Sequence, residues 1–168
     1  MTEKIKVLIV DDIKDTRDNL RRLLQFEEEI TVIGDASNGQ EAVVQVKQFR
    51  PDIILMDINM PGMDGIQATE KISVDFPQIG IIILSVQGEQ EYLRKAMSAG
   101  ARGYLIKPPS NDELIHTIYH VYELGLKGSQ GSAVGEEHVR EEDFKMLSNS
   151  NGIMGKRKIK SAFHKWFN

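Results

Sequence analysis

The stretch Pro51-Asp52-Ile53-Ile54-Leu55-Met56-Asp57 constrains the fold more than any other part of the chain. Its apolar run has no polar face, so both sides must be covered, as in a parallel strand with helices above and below. Asp57 ends the run, and the Pro61-Gly62 and Asp64-Gly65 pairs beyond it force a tight loop before the next helix. A carboxylate at a strand's carboxyl end, beside irregular backbone, lies where open α/β sheets place their sites.

The rest of the chain alternates in the same way. Lys6 to Val10 reads as a strand ending at Asp11-Asp12, and Leu20, Leu23 and Leu24 mark one face of a helix from Lys14 to Phe26. Ile30 to Gly34 is a second strand. Asn38-Gly39 introduces a helix with Ala42, Val43, Val46 and Phe49 on its apolar face, closed by Pro51. Ile66 to Phe76 reads as a helix, Ile79 to Leu84 as a strand ending at Ser85, and Glu89 to Ala99 as a helix stopped by Gly100. Arg102 to Ile106 is the last strand, ending at Lys107-Pro108, and Asn111 to Leu124 is the last helix. This alternation predicts an α/β fold, a doubly wound five-stranded parallel sheet of flavodoxin-like order 2-1-3-4-5, followed by a C-terminal tail. In that order strands 1 and 3 are neighbours at the switch point, which brings Asp11, Asp12 and Asp57 into one crevice.

At 168 residues the chain holds one domain and some excess. The expected division is a domain over 1–124, a flexible linker over 125–152 and a basic amphipathic tail over 153–168. Gly125 to Gly155 carries six glycines and four serines without sustained periodicity, which suits a linker. All 25 acidic side chains lie at or before Asp143, and residues 144–168 hold six Lys or Arg, so an acidic domain of 15 basic and 25 acidic residues precedes a basic end. That balance speaks against a basic nucleic-acid binder. The absence of cysteine excludes disulfides and thiolate metal sites and suits a cytoplasmic protein, and neither a signal peptide nor a membrane span is expected.

Three carboxylates at adjacent strand ends repel one another, and a hard divalent cation with oxygen ligands relieves this most simply. Mg²⁺ fits, because it needs only one or two carboxylates and leaves room for a phosphoryl oxygen. Ser85 and Lys107 supply a hydroxyl and a positive charge on the far side of a phosphoryl group attached to Asp57. Singly, each feature has a plainer reading: Asp11 and Asp12 as a helix cap, Ser85 as a loop hydroxyl, Lys107-Pro108 as a solvated turn. Four strand ends carrying the right chemical types together defeat those readings.

In register with the strand ends, Asp11-Asp12, Asp57 with Met60-Pro61-Gly62-Met63-Asp64-Gly65, Ser85 and Lys107-Pro108 give the region from Lys4 to Leu124 its resemblance to the response-regulator receiver domain, the family of the chemotaxis response regulator. The resemblance implies a bacterial two-component or phosphorelay signalling protein. Asp57 would accept a phosphoryl group from a sensor histidine kinase or phosphotransfer protein, with Mg²⁺ held by Asp11, Asp12, Asp57 and the Asn59 backbone carbonyl. Ser85 and Lys107 would bond the phosphoryl oxygens, and Tyr104 would be the switch aromatic that turns inward behind Ser85. It further implies a cis bond before Pro108, and Asn59 and Gln87 beside the water path for dephosphorylation. Any enzymatic activity would be limited to self-phosphorylation from a phosphohistidine and slow autodephosphorylation. Phosphorylation would switch the face made by helix 4, strand 5 and helix 5, with a phosphorylation-linked dimer as one consequence.

The Ser85 to Leu93 segment looks most like receivers joined to Flp-type pilus-assembly ATPases, which makes such an ATPase a candidate output partner. A shuttle that passes the phosphoryl group to a histidine phosphotransfer protein and an adaptor that works without phosphorylation are the alternatives. No nucleic-acid partner is expected. Ile159, Ala162, Phe163, Trp166 and Phe167 share a helical stripe opposite cations, compatible with weak contact to a membrane or partner through 153–168. His116 and His120 stand at a zinc-gripping i, i+4 spacing but lack a third ligand, so a solvent-facing helix surface is expected there. Met56, Met60 and Met97 read as packing residues.

Overall fold

The structure, a computed structural model, describes residues 3–129. Five strands and five helices alternate: β1 (Ile5–Val10), α1 (Lys14–Leu24), β2 (Ile30–Ala36), α2 (Gly39–Phe49), β3 (Ile53–Asp57), α3 (Gly65–Asp75), β4 (Gly80–Ser85), α4 (Gln90–Ser98), β5 (Gly103–Ile106) and α5 (Asn111–Ser129). Every strand pairing is parallel and the sheet order is β2-β1-β3-β4-β5, as the alternation predicts.

The uniformly apolar strands hide a period of two that appears only when their sides are assigned. Leu8, Val10, Ile54, Met56, Ile81 and Ile83 point into one core with Ala42 and Val46 of α2, Ala68 and Ile72 of α3, and Ala96 of α4. Val7, Ile9, Ile53, Leu55, Ile82 and Leu84 point into the other, with Leu20 and Leu24 of α1 and Leu114, Ile118 and Val121 of α5. Burying one such side chain stabilises the fold by about 1.5–3 kcal/mol relative to leaving it in water. Two full layers therefore hold the strand ends in fixed register: Val10 beside Met56, Asp57 beside Leu84 and Ser85 beside Ile106.

Local chemistry sets the helix ends. Asn38 caps α2 by accepting from the Glu41 amide, and Asp64 and Gln67 form a reciprocal capping box at the start of α3. Gly100, at φ +108°, follows α4 as its C-terminal stop. Arg50 takes the left-handed conformation at φ 49° between α2 and Pro51, its guanidinium lying 4.5 Å from the centre of the Phe76 ring.

Some boundaries and faces differ from the sequence reading. β2 runs on to Ala36, because Ile9 and Val10 continue to pair with Asp35 and Ala36 beyond an irregularity between Val7 and Leu8. α1 stops at Leu24, leaving Phe26 outside it and 79% exposed. Phe49, the last residue of α2 and seven residues after Ala42, is nonetheless exposed. α5 continues past Leu124 to Ser129, so residues 125–129 are helical where a linker was expected. A Cβ at Gly125 would sit 3.5 Å from both Arg102 and the Gln78 carbonyl, so the helix still lies against the sheet's lower edge there. The rest of the expected linker and the whole of 153–168 lie outside the described residues. Among the described residues no helix is long and apolar enough to cross a membrane.

Candidate functional site

The carboxyl ends of β1, β3, β4 and β5 meet in one crevice. β1 hands over to Asp11 and Asp12, β3 ends on Asp57, β4 ends on Ser85, and Lys107 follows β5. Asp11, Asp12 and Asp57 bring one carboxylate oxygen each to within 4.8 Å of one another, the metal-capable cluster among the described residues. Asp11 and Asp57 are buried, while Asp12 stands at the solvent edge. The aspartates do not cap α1 in the usual way, since its N-cap is Ile13 with no side-chain bond; Asp11 Oδ1 instead accepts from the Ile13 amide at 2.9 Å.

Lys107 closes the crevice from the other side. Its Nζ donates to Asp11 Oδ2 at 2.5 Å and to Asp57 Oδ1 at 3.0 Å. Burial lowers the ammonium's pKa, but the bonds to the two carboxylates outweigh it and leave Lys107 raised. Burial is also the main reason that the Asp57 carboxyl is raised, and the charges of Asp11 and Asp12 add to it against the opposing pull of Lys107. One ammonium among three carboxylates leaves negative charge that a divalent cation would neutralise. The donor set is all oxygen and lies partly open to water, which fits Mg²⁺ and not a soft metal.

The remaining predicted residues sit around this centre. Ser85 is fully buried, and its Oγ accepts from the Gln87 amide at 3.0 Å. Tyr104, half-buried against the α2-α3-α4 core, donates its hydroxyl to the Gln87 carbonyl at 2.6 Å. The backbone of Gln87 thus joins Ser85 to Tyr104 across the β4-α4 loop. Asn59 is exposed just past β3, Gln87 is half-buried, and the Lys107-Pro108 peptide is cis. His116 is exposed and His120 half-buried on α5, and neither belongs to a three-ligand cluster among the described residues. Met56 and Met60 are buried and Met97 packs against the core, so the methionines are packing residues.

Two residues with a part in this geometry, Arg17 and Asp35, escaped the sequence reading, and a third, Gly65, was read only as a loop residue. Gly65 lies so close beneath Asp57 that a Cβ there would come within 1.8 Å of the Asp57 carbonyl oxygen, and its amide donates to Ile58 O at 2.9 Å. Arg17 and Asp35 form an ion pair between α1 and β2 at 2.8 Å. The signal for Arg17 was available: it precedes Leu20 by three and Leu24 by seven, on the buried stripe, where a cation needs a partner.

Comparisons with known proteins agree with this geometry. The response regulator receiver domain profile matches residues 7–119. The chain is 36% identical over 122 residues to the transcriptional regulatory protein DegU of Brevibacillus brevis, covering 73% of this chain and 52% of that protein. It is 36% identical over 120 residues to the oxygen regulatory protein NreC of Staphylococcus haemolyticus, covering 71% and 55%. The chain therefore spans about half the length of these curated relatives. Among solved structures, the CheX-CheY-BeF₃-Mg²⁺ complex of Borrelia burgdorferi matches with a TM-score of 0.67 at 29% identity, covering 71% of this chain and 90% of that one. A LuxR-family DNA-binding response regulator of Staphylococcus aureus matches with a TM-score of 0.66 at 26% identity, covering 70% and 98%. DegU is named for transcription and the Staphylococcus aureus regulator for DNA binding, which runs against the expectation of no nucleic-acid partner, and none of these relatives supports a pilus-assembly ATPase. The profile takes in both aspartate-bearing strand ends, Ser85 and Lys107 within one continuous match, and on that ground the chain belongs to the response regulator receiver domain family.

Proposed function

We propose that this domain is a phosphorylation-controlled switch whose acceptor is Asp57. The observation that carries the reading is the meeting of Asp57, Asp11, Asp12 and Lys107 in one crevice, with Lys107 Nζ 3.0 Å from the acceptor carboxylate. A carboxylate oxygen of Asp57 attacks the phosphorus of a phosphohistidine on a partner kinase. The new O–P bond forms as the N–P bond breaks, giving an acyl phosphate and releasing the histidine. Lys107 is placed to pair with a phosphoryl oxygen as charge accumulates there. Asp11, Asp12, Asp57 and the Asn59 carbonyl would hold Mg²⁺, which when bound offsets the negative charge of the acceptor and the incoming group.

After transfer, the Ser85 hydroxyl would leave the Gln87 amide and donate to the phosphoryl group. That exchange frees one end of the Gln87 backbone, and Tyr104, leaving the Gln87 carbonyl, would turn inward behind Ser85 and so couple the crevice to α4. The face of α4, β5 and α5 changes because these contacts exist mainly in the phosphorylated state. Asn59 and Gln87 would flank the water that ends the signal. The domain division carries over into this reading, with the receiver followed by a connecting segment and the basic stretch 153–168.

The test is to incubate the chain with a small acyl phosphate and Mg²⁺ and to follow its intact mass. Gain of one phosphoryl group, abolished by Asp57→Asn and by chelating the metal, is the expected result; no modification of the wild type would overturn the reading in favour of a phosphorylation-independent adaptor. Rapid passage of the group to a histidine phosphotransfer protein would identify a shuttle. The relatives named for transcription and DNA binding favour gene expression as the output, and salt-dependent binding of the chain to duplex DNA would assign that role to the chain itself.

A further inference from the structure

The loop that carries Asp11 and Asp12 enters α1 at Ile13, which has no side-chain cap, and is tied to β2 by the Asp11 amide donating to Ala36 O at 3.1 Å. Arg17 braces the loop further through two of its guanidinium nitrogens. Nη1 donates to the Asp11 carbonyl at 2.7 Å, and Nε donates to Asp35 Oδ2 at 2.8 Å. Asp35 is itself fixed: Arg21 donates to its other oxygen at 2.8 Å, Gln45 Nε2 donates to its carbonyl at 2.6 Å, and its strand position faces Ile9. The Arg17 side chain is 15% exposed. The planar fork thus spans from Asp35 of β2 to the backbone of Asp11, which offers the crevice a buried carboxylate, a bridge a lysine cannot reproduce with one nitrogen.

Resting on the reading of the crevice as a Mg²⁺ and phosphoryl site, we infer that Arg17 is a positioning residue for that site, which holds the Asp11-Asp12 turn in its binding geometry from behind. It touches neither metal nor phosphoryl group. Its effect passes through the Asp11 carbonyl, and Asp35 is the anchor that makes the effect rigid.

Charge and positioning make opposite forecasts. If Arg17 acted only as a nearby cation, Arg17→Lys would leave Mg²⁺ affinity unchanged and Arg17→Gln would strengthen it. As a positioning residue, its replacement by lysine weakens Mg²⁺ binding roughly tenfold, the low end of what partners that orient metal ligands contribute. The experiment titrates the full chain with Mg²⁺ by calorimetry for wild type, Arg17→Lys and Arg17→Gln. Alongside it, amide exchange at Ile13 and in β5 is measured without metal. Weaker Mg²⁺ binding in both variants, with faster exchange at Ile13 and unchanged exchange in β5, supports the inference. Affinity within about twofold of wild type for Arg17→Lys overturns it, as does Ile13 exchange that stays unchanged or accelerates only in step with β5. Should wild type bind no Mg²⁺, the reading of the crevice fails, and the exchange comparison alone decides whether Arg17 holds the turn. If both replacements unfold the chain, Asp35→Asn, which removes the anchor and keeps Arg17, carries the exchange measurement.

Discussion

The interior of β3 and its carboxyl end are adjacent in the chain and opposed in chemistry. Ile53, Ile54, Leu55 and Met56 have no exposure and are packed by hydrocarbon on both sides of the sheet. Asp57, only 7% exposed, faces Asp11, Asp12 and Lys107. Equal burial has opposite consequences: it stabilises the first four residues and raises the free energy of the fifth when ionised. The interior is built for rigidity, and that rigidity holds together at the strand end a set of charges that would otherwise move apart.

The largest effect should come from breaking the interior. Leu55→Ala removes a side chain packed among Ile9, Leu84 and the α1 and α5 residues, and it should cost about 2–5 kcal/mol in denaturant unfolding at pH 7. A loss under about 1 kcal/mol would mean that the two layers are not the rigid frame argued above.

Next in size is the crevice cation. Lys107→Met leaves Asp11 Oδ2 and Asp57 Oδ1 without the donor they share, and it should destabilise the metal-free protein by about 1–3 kcal/mol. Because the folded pKa of Lys107 is raised above 10.5, its stabilisation is complete below that value and fades as pH rises through the folded pKa. Added Mg²⁺ should restore much of the loss in the variant and stabilise it more than it stabilises wild type, since no ammonium then competes for the carboxylates. Thermal melts with and without the metal test this, and an equal Mg²⁺ shift in both proteins would refute it.

Asp57→Asn should have the opposite sign. The folded pKa of Asp57 lies above 3.8, chiefly through burial, so its ionised form opposes folding at neutral pH. The penalty shrinks as pH falls through the raised pKa and is gone below the ordinary value. Metal-free Asp57→Asn should therefore be more stable than wild type by on the order of 1 kcal/mol at pH 7, converging with it near pH 3. Mg²⁺ should narrow the gap by stabilising only the protein that keeps all three carboxylates. A variant less stable than wild type without metal would mean that the Lys107 pairing outweighs the burial of Asp57.

Most of this contrast was legible in the sequence, because both halves are written in local chemistry. The apolar run of β3 and the acid that ends it follow one another in print, and the alternation with right-handed crossovers calls for a doubly wound parallel sheet, of which 2-1-3-4-5 is one order. Ser85, Lys107, Asp11 and Asp12 were found because each terminates a strand. The close approach of Gly65 to Asp57 and the Arg17–Asp35 pair were not, since they depend on distances across elements: 1.8 Å from a built Cβ to a carbonyl, 2.8 Å from α1 to β2. The end of α5 was missed for a different reason. Gly125 and Gly128 read as breakers, yet a helix already nucleated by the 14 residues before Gly125 tolerates each at about 1 kcal/mol.

Read from the sequence, α1 runs two residues too far, to Phe26, and there the smallest effect is expected. Leu24 and Phe26 are two residues apart, and by hydropathy either could be the last residue of the packed face. Leu24 is 1% exposed and Phe26 79%, because the helix ends at Leu24, Gln25 closes it, and the Phe26 ring is left outside both cores. Leu24→Ala should cost about 2–5 kcal/mol, whereas Phe26→Ser should lie within about 0.5 kcal/mol of wild type. Urea midpoints of the two variants check the pair. A Phe26→Ser loss approaching that of Leu24→Ala would show that the aromatic ring is covered in solution, and the covering surface would then have to be sought beyond residues 3–129.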